Sequence, residues 1–375
     1  MQNMREVKGQ EIANTEGQIS RVTDYYYSVR SQAEQRRVYI VERKEDSEFW
    51  TCTCPDYTYR KVRCKHVFAV LVSIQLRRVV EVKKISPITQ ASECIYCKSA
   101  DLAKDGLRHN KDGDIQKFQC RNCGKYFTIN LGFEKMKHNP QAITSAIQLY
   151  FSGESLRHTQ QSLRLLGVNV SHQTIYNWIA KYTALMNKYL EKITPQVSST
   201  WRADEVYVKV KGNPKYLFAL IDDETRFWIA QEVAESKYKH DARNIFRLAK
   251  ERAGKIPDTI ITDGLPAYHD AYKKEFFSHK TKGTRHIREI AIAGRIHNNK
   301  MERFNGELRD REKVMRSLKN VETPILKGLE IYHNYIRPHT ALNGQTPSAR
   351  CGLEVEGQNK WLTVIQNASI QANSE

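Results

Sequence analysis

Seven of the eight cysteines in this 375-residue chain fall inside two short ligand-like patterns, and segments of that kind fold only when something closes them. The first pattern is Cys52-Thr-Cys54 followed, nine residues on, by Cys64-Lys-His66, which makes three sulfurs and one imidazole, a complete tetrahedral set. The second is Cys94-Ile-Tyr-Cys97 and Cys120-Arg-Asn-Cys123, two C-x-x-C knuckles separated by 22 residues and followed by Gly124-Lys125-Tyr126-Phe127. These spacings read as zinc thiolates in a reducing compartment and not as disulfides. Two structural Zn2+ ions are therefore expected. Strand-like Arg37 to Glu42 and Phe49 to Cys52 precede the first set, and an apolar helix, Val67 to Ile74, follows it. A two-strand, one-helix unit of this size cannot bury a sufficient core, and a structural zinc site supplies on the order of 10 kcal/mol of folding energy. His109 lies between the knuckles, but four thiolates already close the coordination shell.

The second half of the chain carries different chemistry. Asp204, Val206, Val208 and Val210 alternate with Glu205, Tyr207, Lys209 and Lys211, so a strand here puts Asp204 on the valine face and Glu205 on the solvated one. A carboxylate on a buried face is costly unless paired, and a metal ion is one such partner. Asp263 ends the apolar run Ile260-Ile261-Thr262 and precedes Gly264, as at the carboxyl end of a strand, where open α/β sheets gather their ligands. Glu302 lies in a helical segment whose Met301, Phe304, Leu308, Met315 and Leu318 form an apolar stripe, with Glu302, Asn305 and Arg309 along its flank. Singly, each acid reads as a solvated surface charge. Together they suit hard divalent cations such as Mg2+ or Mn2+, and two such ions about 4 Å apart serve an in-line displacement at phosphorus.

Four stretches resemble the DDE transposases and retroviral-type integrases: Trp201-Arg-Ala-Asp204-Glu-Val, Ile261-Thr-Asp263-Gly, Asn298-Asn-Lys-Met-Glu302-Arg-Phe-Asn, and Tyr332-His-Asn-Tyr335-Ile-Arg337-Pro338-His339 continuing to Thr346-Pro347. The likeness covers about residues 199–353 and is of the kind found in prokaryotic insertion sequences. It implies a ribonuclease H-like core, an α/β (α+β) fold with a mixed five-stranded sheet flanked by helices. It also implies that Asp204, Asp263 and Glu302 are catalytic and hold the metal ions. Arg309, at i+7 from Glu302, matches a DNA-contacting basic residue of the family, which favours Glu302 over Glu307. The implied partner is double-stranded DNA, both element ends and target, held by a homodimer or a higher assembly. The chain departs from the pattern in one respect, because 38 residues separate Asp263 from Glu302, a few more than is usual. An enlarged loop from Lys280 to Gly294 would absorb the excess, leaving His286 as an active-site neighbour or as an ordinary polar loop histidine. The Cys52 to His66 set resembles the SWIM zinc finger, which also occurs in Mutator-type transposases, and the paired knuckles resemble a zinc ribbon.

Charge agrees with a polyanionic partner, since 60 Lys and Arg against 42 Asp and Glu give a formal net charge of +18. Between Lys280 and Lys319 twelve basic residues outnumber five acidic ones beside the third carboxylate. Arg108, His109, Lys111, Lys117 and Arg121 place further cationic side chains around the ribbon. No apolar stretch reaches the length of a membrane span, and Met1-Gln-Asn-Met-Arg-Glu6 lacks the apolar centre of a secretory signal. A cytoplasmic, nucleoid-associated protein is expected.

Three helices are predicted over Pro140 to Ser152, Ser155 to Leu166 and Ser171 to about Leu190, broken by Gly153 and Gly167-Val168-Asn169. The third reads as the recognition helix of a helix-turn-helix, N-capped by Ser171, with Ile175, Trp178 and Ile179 inward. His172, Gln173, Thr174, Tyr176 and Asn177 are left to face a major groove. The expected organisation is a SWIM-type finger (1–80), a zinc ribbon (90–132), a helix-turn-helix domain (138–192), the catalytic core (199–353) and a tail (354–375) of helical remnant and frayed end, with Glu81 to Ser92 as a linker. Within the core, strands over Thr200 to Lys211, Lys215 to Asp222 and Phe227 to Ala234 form a meander turned at Gly212-Asn213-Pro214 and Asp223-Glu224-Thr225, before a helix from His240 to Ala253. The function this implies is an insertion-sequence transposase that cleaves DNA at the element ends and joins the exposed 3′-hydroxyl to a target. The competing readings are a DNA-binding regulator that keeps the core as a scaffold, and a structure-specific nuclease that cuts without joining.

Overall fold

Short strands and ligand loops give the N-terminal third two small sheets. The computed structural model describes the chain apart from residues 1–3, 16, 24, 35–36, 44–46, 48, 78–81, 89–90, 92, 111–112, 129, 135, 278–282, 290–298, 316–317, 321–322 and 375. Lys111, Asn298 and parts of the two stretches expected as a loop and a linker lie outside the described residues. Helix α1 (Met4–Asn14) precedes strands β1 (Ile19–Thr23), β2 (Tyr26–Arg30), β3 (Val38–Glu42) and β4 (Thr51–Cys52), which form an antiparallel sheet in that order. Helices α2 (Pro55–Arg60) and α3 (Lys65–Arg77) follow. Val29, Val41, Val67 and Val70 fill the core, and α1 crosses α3 so closely that a Cβ on Gly9 would lie 2.6 Å from Phe68 Cβ. The unit is thus larger than two strands and a helix. Strands β1 and β2 escape a periodicity search because Ser20, Arg21 and Ser28 interrupt their apolar alternation.

Strand β5 (Lys83–Ile85) is followed by the three-stranded antiparallel sheet of β6 (Leu102–Asn110), β7 (Gly113–Cys120) and β8 (Tyr126–Thr128). Helices α4 (Pro140–Phe151), α5 (Leu156–Leu165) and α6 (His172–Leu190) begin where expected, each capped by a side chain that accepts a backbone N–H: Asn139, Ser155 and Ser171.

The central sheet contains β9 (Thr200–Val210), β10 (Asn213–Asp222), β11 (Trp228–Ala234), β12 (Thr259–Asp263) and β13 (Arg285–Glu289), ordered β11-β10-β9-β12-β13. The first three are antiparallel, while β12 runs parallel to β9 and β13 parallel to β12. This is a mixed five-stranded sheet, as expected. The β9–β10 turn is tighter than expected, because Lys211 and Gly212 both take positive φ (51° and 82°) and β10 starts at Asn213. Helices α7 (Lys239–Ala253), α8 (Pro266–Glu275) and α9 (Asn299–Met315) pack against the sheet or one another, α9 lying on β9. Leu318 is buried as predicted, but beyond α9, in a bridge to Val210.

After α10 (Pro324–Ile331), a π-helical turn over Tyr332–Ile336 carries Asn334, whose side chain accepts from Trp228 N–H at 2.7 Å and donates to Trp228 C=O at 2.9 Å. The tail motif therefore extends the hydrogen bonding of β11. Helix α11 (Pro347–Arg350), strand β14 (Leu353–Val355) and helix α12 (Lys360–Ser374) complete the chain.

Two expectations fail here. Strand β14 pairs in parallel with β5, so the stretch taken as a linker holds a strand bound to the far end of the chain. The last stretch, expected as a helical remnant with a frayed end, is helical from Lys360 to Ser374 and packs on α4 and α6, with Trp361, Val364, Ile365 and Ala368 buried. Its apolar periodicity is weak because polar residues share the buried face. Gln366 there accepts from Ile88 N–H at 3.1 Å and donates to Ile88 C=O at 3.2 Å, which satisfies both groups without water. Among the described residues no helix is long and apolar enough to cross a membrane.

Candidate active site

Parallel pairing of β12 with β9 sets Thr262 opposite Ala203, so the next residues, Asp263 and Asp204, project side by side where β12 ends and β9 runs on. Carboxylate oxygens of Asp204, Glu205 and Asp263 all lie within 4.8 Å of one another. Asp204 accepts from Asn305 Nδ2 on α9 at 2.8 Å and from the Glu205 N–H at 2.9 Å, while Asp263 accepts from Leu265 N–H at 3.0 Å. Burial, followed by the negative charges of Glu205 and Asp263, pushes the Asp204 carboxyl up to about 7, and burial likewise raises Asp263. Lys237 offsets the charge of Glu205, while burial keeps Asp204 and Asp263 raised. The chemistry of the donor set fits a hard divalent cation.

Glu205 is not the solvated residue that alternation suggested. Its side chain is only 4% exposed and accepts from Lys237 Nζ at 2.7 Å and from the Tyr268 hydroxyl at 3.0 Å. Alternation did place it on the opposite face from Asp204, but that face is covered here by α8 and by the segment leading into α7. Glu302 stands outside the cluster, exposed on the first turn of α9, one turn before Asn305. Arg309 is exposed two turns further along the same helix. Glu307 accepts instead from Arg337 Nη1 at 2.6 Å, which ties it to the tail motif. His286 belongs to strand β13 and not to a loop, with its Nε2 2.9 Å from Thr262 Oγ1. Burial, then nearby His269 and Arg288, lowers its pKa to about 4. Lys237 and Tyr268 escaped the sequence reading, which had Glu205 on the solvated face as a weaker candidate than Asp204.

Both cysteine patterns bring their four ligand atoms together. Cys52, Cys54, Cys64 and His66 are buried with ligand atoms within 4.8 Å of one another, and His66 Nδ1 lies 3.9 Å from the sulfurs of both Cys52 and Cys64. In the second set Cys94 and Cys123 are 3.6 Å apart and Cys97 and Cys120 are 3.5 Å apart. Zn–S bonds of about 2.3 Å predict sulfur–sulfur edges of about 3.7 Å, so the spacing fits zinc. Around the ribbon Arg108, His109 and Arg121 are exposed, and Lys117 pairs with Asp105. On α6, His172, Gln173 and Asn177 are exposed, Thr174 and Tyr176 half-buried, and Ile175, Trp178 and Ile179 buried. Gln173 Nε2 donates to Asn177 Oδ1 at 3.1 Å.

Residues 198–339 match the family profile of the DDE domain and residues 37–75 that of the SWIM zinc finger. A transposase for the insertion sequence-like element IS431mec of Staphylococcus aureus is 29% identical over 215 residues, 56% of this chain and 91% of that protein. The transposase for insertion sequence element IS257 in transposon Tn4003, also of Staphylococcus aureus, matches to the same extent. An uncharacterized 48.3 kDa protein of insertion element ISM1 from Methanobrevibacter smithii is 25% identical over 193 residues, 47% of this chain and 46% of its own. Among solved structures, the catalytic core domain of HTLV-2 integrase in complex with magnesium is similar at 16% identity and a TM-score of 0.31, covering 43% of this chain and 98% of that one. Asp204 and Asp263 thus meet inside residues 198–339, the segment that matches the DDE domain, in a chain similar to transposases of insertion sequence elements.

Proposed function

We propose that the protein cleaves DNA at the ends of an insertion sequence and transfers the exposed 3′-hydroxyl to target DNA in a reaction that needs Mg2+ or Mn2+. The observation that carries this reading is the meeting of Asp204 and Asp263 at the open end of two parallel strands, with burial and the charge of Glu205 raising both carboxyls. Asp204 and Asp263 would hold the ions with Glu302, the acid that α9 offers one turn before Asn305. Glu205 is engaged by Lys237 and Tyr268, which favours a supporting role for it. Bound there, the ions would activate the attacking oxygen and stabilise the leaving one at phosphorus. Asn305 would orient Asp204 through its hydrogen bond, and Arg309 would position the DNA backbone.

Recognition of the element ends would fall to the N-terminal modules: zinc held by Cys52, Cys54, Cys64 and His66 in the finger and by Cys94, Cys97, Cys120 and Cys123 in the ribbon, and helix α6. On α6 the exposed His172, Gln173 and Asn177 would reach base edges, with Thr174 and Tyr176 beside them. The proposed division is finger 1–80, ribbon 90–132, helix-turn-helix 138–192 and core 199–353, with β14 and α12 fastening the core to the segments before it. Two ends and a target must be held together, so a homodimer or larger assembly on double-stranded DNA, in the cytoplasm at the nucleoid, is proposed.

The test is a joining assay with DNA taken from the borders of the gene. The wild type should cut and join in Mg2+, and Asp263→Asn should do neither while binding the ends nearly as well. Binding without metal-dependent cutting by the wild type would instead indicate a regulator, and cutting without joining a nuclease.

A further inference from the structure

Beyond Glu205, strand β9 runs on to Tyr207, 57% exposed, which lies in register across from Tyr216 on β10. The ring centres are 4.7 Å apart, and the Tyr216 hydroxyl donates to that of Tyr207 at 3.1 Å. Lys237 Nζ sits 5.2 Å from the centre of the Tyr207 ring and 4.9 Å from that of Tyr216, while bonded to Glu205 at 2.7 Å. One lysine therefore joins a surface pair of aromatic rings to a carboxylate of the acidic cluster.

The exposed Tyr207 ring adds little to the core, yet it keeps a fixed geometry against half-buried Tyr216 through the paired hydroxyls and the cation. Aromatic faces beside a cation are what proteins use to stack unpaired bases, irrespective of sequence. Bases inside a duplex have no free face, whereas a frayed or single-stranded nucleotide does. Glu205 fixes where such a base would lie: within a side chain's reach of the carboxylates assigned to phosphodiester chemistry.

We propose that Tyr207, Tyr216 and Lys237 form a stacking subsite for an unpaired nucleobase of the DNA strand whose phosphate the acidic cluster receives. This rests on the transposase reading above and adds to it the form of the substrate: an end whose terminal base is unstacked from the duplex.

Equilibrium binding tests it, using the full chain with Ca2+ in place of Mg2+ and two labelled probes, a short duplex with an unpaired single-stranded extension and the same duplex blunt. The wild type should prefer the extended probe by about tenfold, the worth of one stacked base. Tyr207→Ala should abolish that preference. Tyr207→Phe keeps the ring but loses the hydroxyl bond to Tyr216, and should retain most of it. Thermal melting of each variant checks that the fold is intact. Full preference in Tyr207→Ala, or equal binding of both probes by the wild type, would overturn the subsite while leaving the transposase reading in place. Failure of the wild type to bind either probe would remove that reading, and the subsite with it.

Discussion

Arg21 of β1 and Asp223, which follows β10, form an ion pair at 2.9 Å although 202 positions separate them, and neither side chain is open to solvent beyond 1%. Asp223 also accepts from Arg202 Nε at 2.5 Å and pairs with Lys300 Nζ at 2.9 Å, while Arg21 reaches Glu224 at 3.1 Å. The Arg21 carbonyl accepts from the Thr200 hydroxyl at 3.1 Å. Lys300 stands on α9 two residues before Glu302. A single carboxylate therefore fastens the N-terminal sheet to the core and anchors the beginning of the helix that carries the third acid.

Removing the Asp223 charge takes a shared anionic partner from buried Arg21 and Arg202 and from half-buried Lys300. Asp223→Asn should cost about 3–5 kcal/mol, the usual penalty for breaking a buried ionic group from one side. Arg21→Met leaves Asp223 with two cations and should cost less, about 1–3 kcal/mol. Urea denaturation measures both, and equal losses would argue against Asp223 as the common anchor.

Stability of the chain without added Mg2+ should depend on pH through two acids of opposite sign. Asp204 is raised from 3.8 to about 7, so its contribution is complete below about pH 4 and is lost as pH climbs through about 7. Burial pushes Asp223 upward, but Lys300, Arg21 and Arg202 outweigh it and hold the carboxyl far below the usual range. Its contribution is present above about pH 4 and is lost only in strong acid. Urea midpoints should fall between about pH 4 and 7, and Asp204→Asn should flatten that fall. An identical slope in the variant would mean that Asp204 is not its source.

Glu205 and Glu302 differ in what occupies them, and their amide variants should differ accordingly. Glu302→Gln removes an ion ligand in the proposed set and should take strand transfer below detection without moving the melting temperature, because its side chain is exposed. Glu205→Gln alters a supporting group and should cost on the order of 10–100-fold. Joining assays over a range of Mn2+ concentrations would settle the assignment, and the reverse ranking would give the third position to Glu205.

Zinc should be needed to fold the N-terminal modules. Cys120→Ser opens the ribbon set, and binding of end DNA should weaken with the loss of much of the roughly 10 kcal/mol that such a site contributes. Circular dichroism and zinc content give the readout. A variant that is zinc-free at the ribbon yet fully folded and competent to bind DNA would contradict this role.

Much of this arrangement is legible along the chain because it depends on near neighbours. Ser171, Ser155 and Asn139 cap helices through bonds to residues three positions on. The cysteine spacings dictate closed ligand sets, and the run Ile260-Ile261-Thr262 ending at Asp263 describes a buried strand that opens into a loop. The weaker predictions share a cause. Glu205, the helix α12 and the pairing of β5 with β14 all have polar groups satisfied by partners distant in sequence, and periodicity treats a polar residue as one that faces water.

By itself the sequence determined the two compact cysteine sets, the three helices after them, the meander of the core and the positions of Asp204 within its strand and Asp263 at the end of its own. Those follow from alternation, capping and spacing, which act over a few residues. Only the tertiary structure decided that Glu205 sits inside the acidic cluster while Glu302 stands outside it, and that Arg21 closes on Asp223. It also decided that the last helix belongs to the core. The physical reason is common to all: a sequence records whether a side chain tolerates burial, but which distant charge or backbone group satisfies it there is set by how the elements pack.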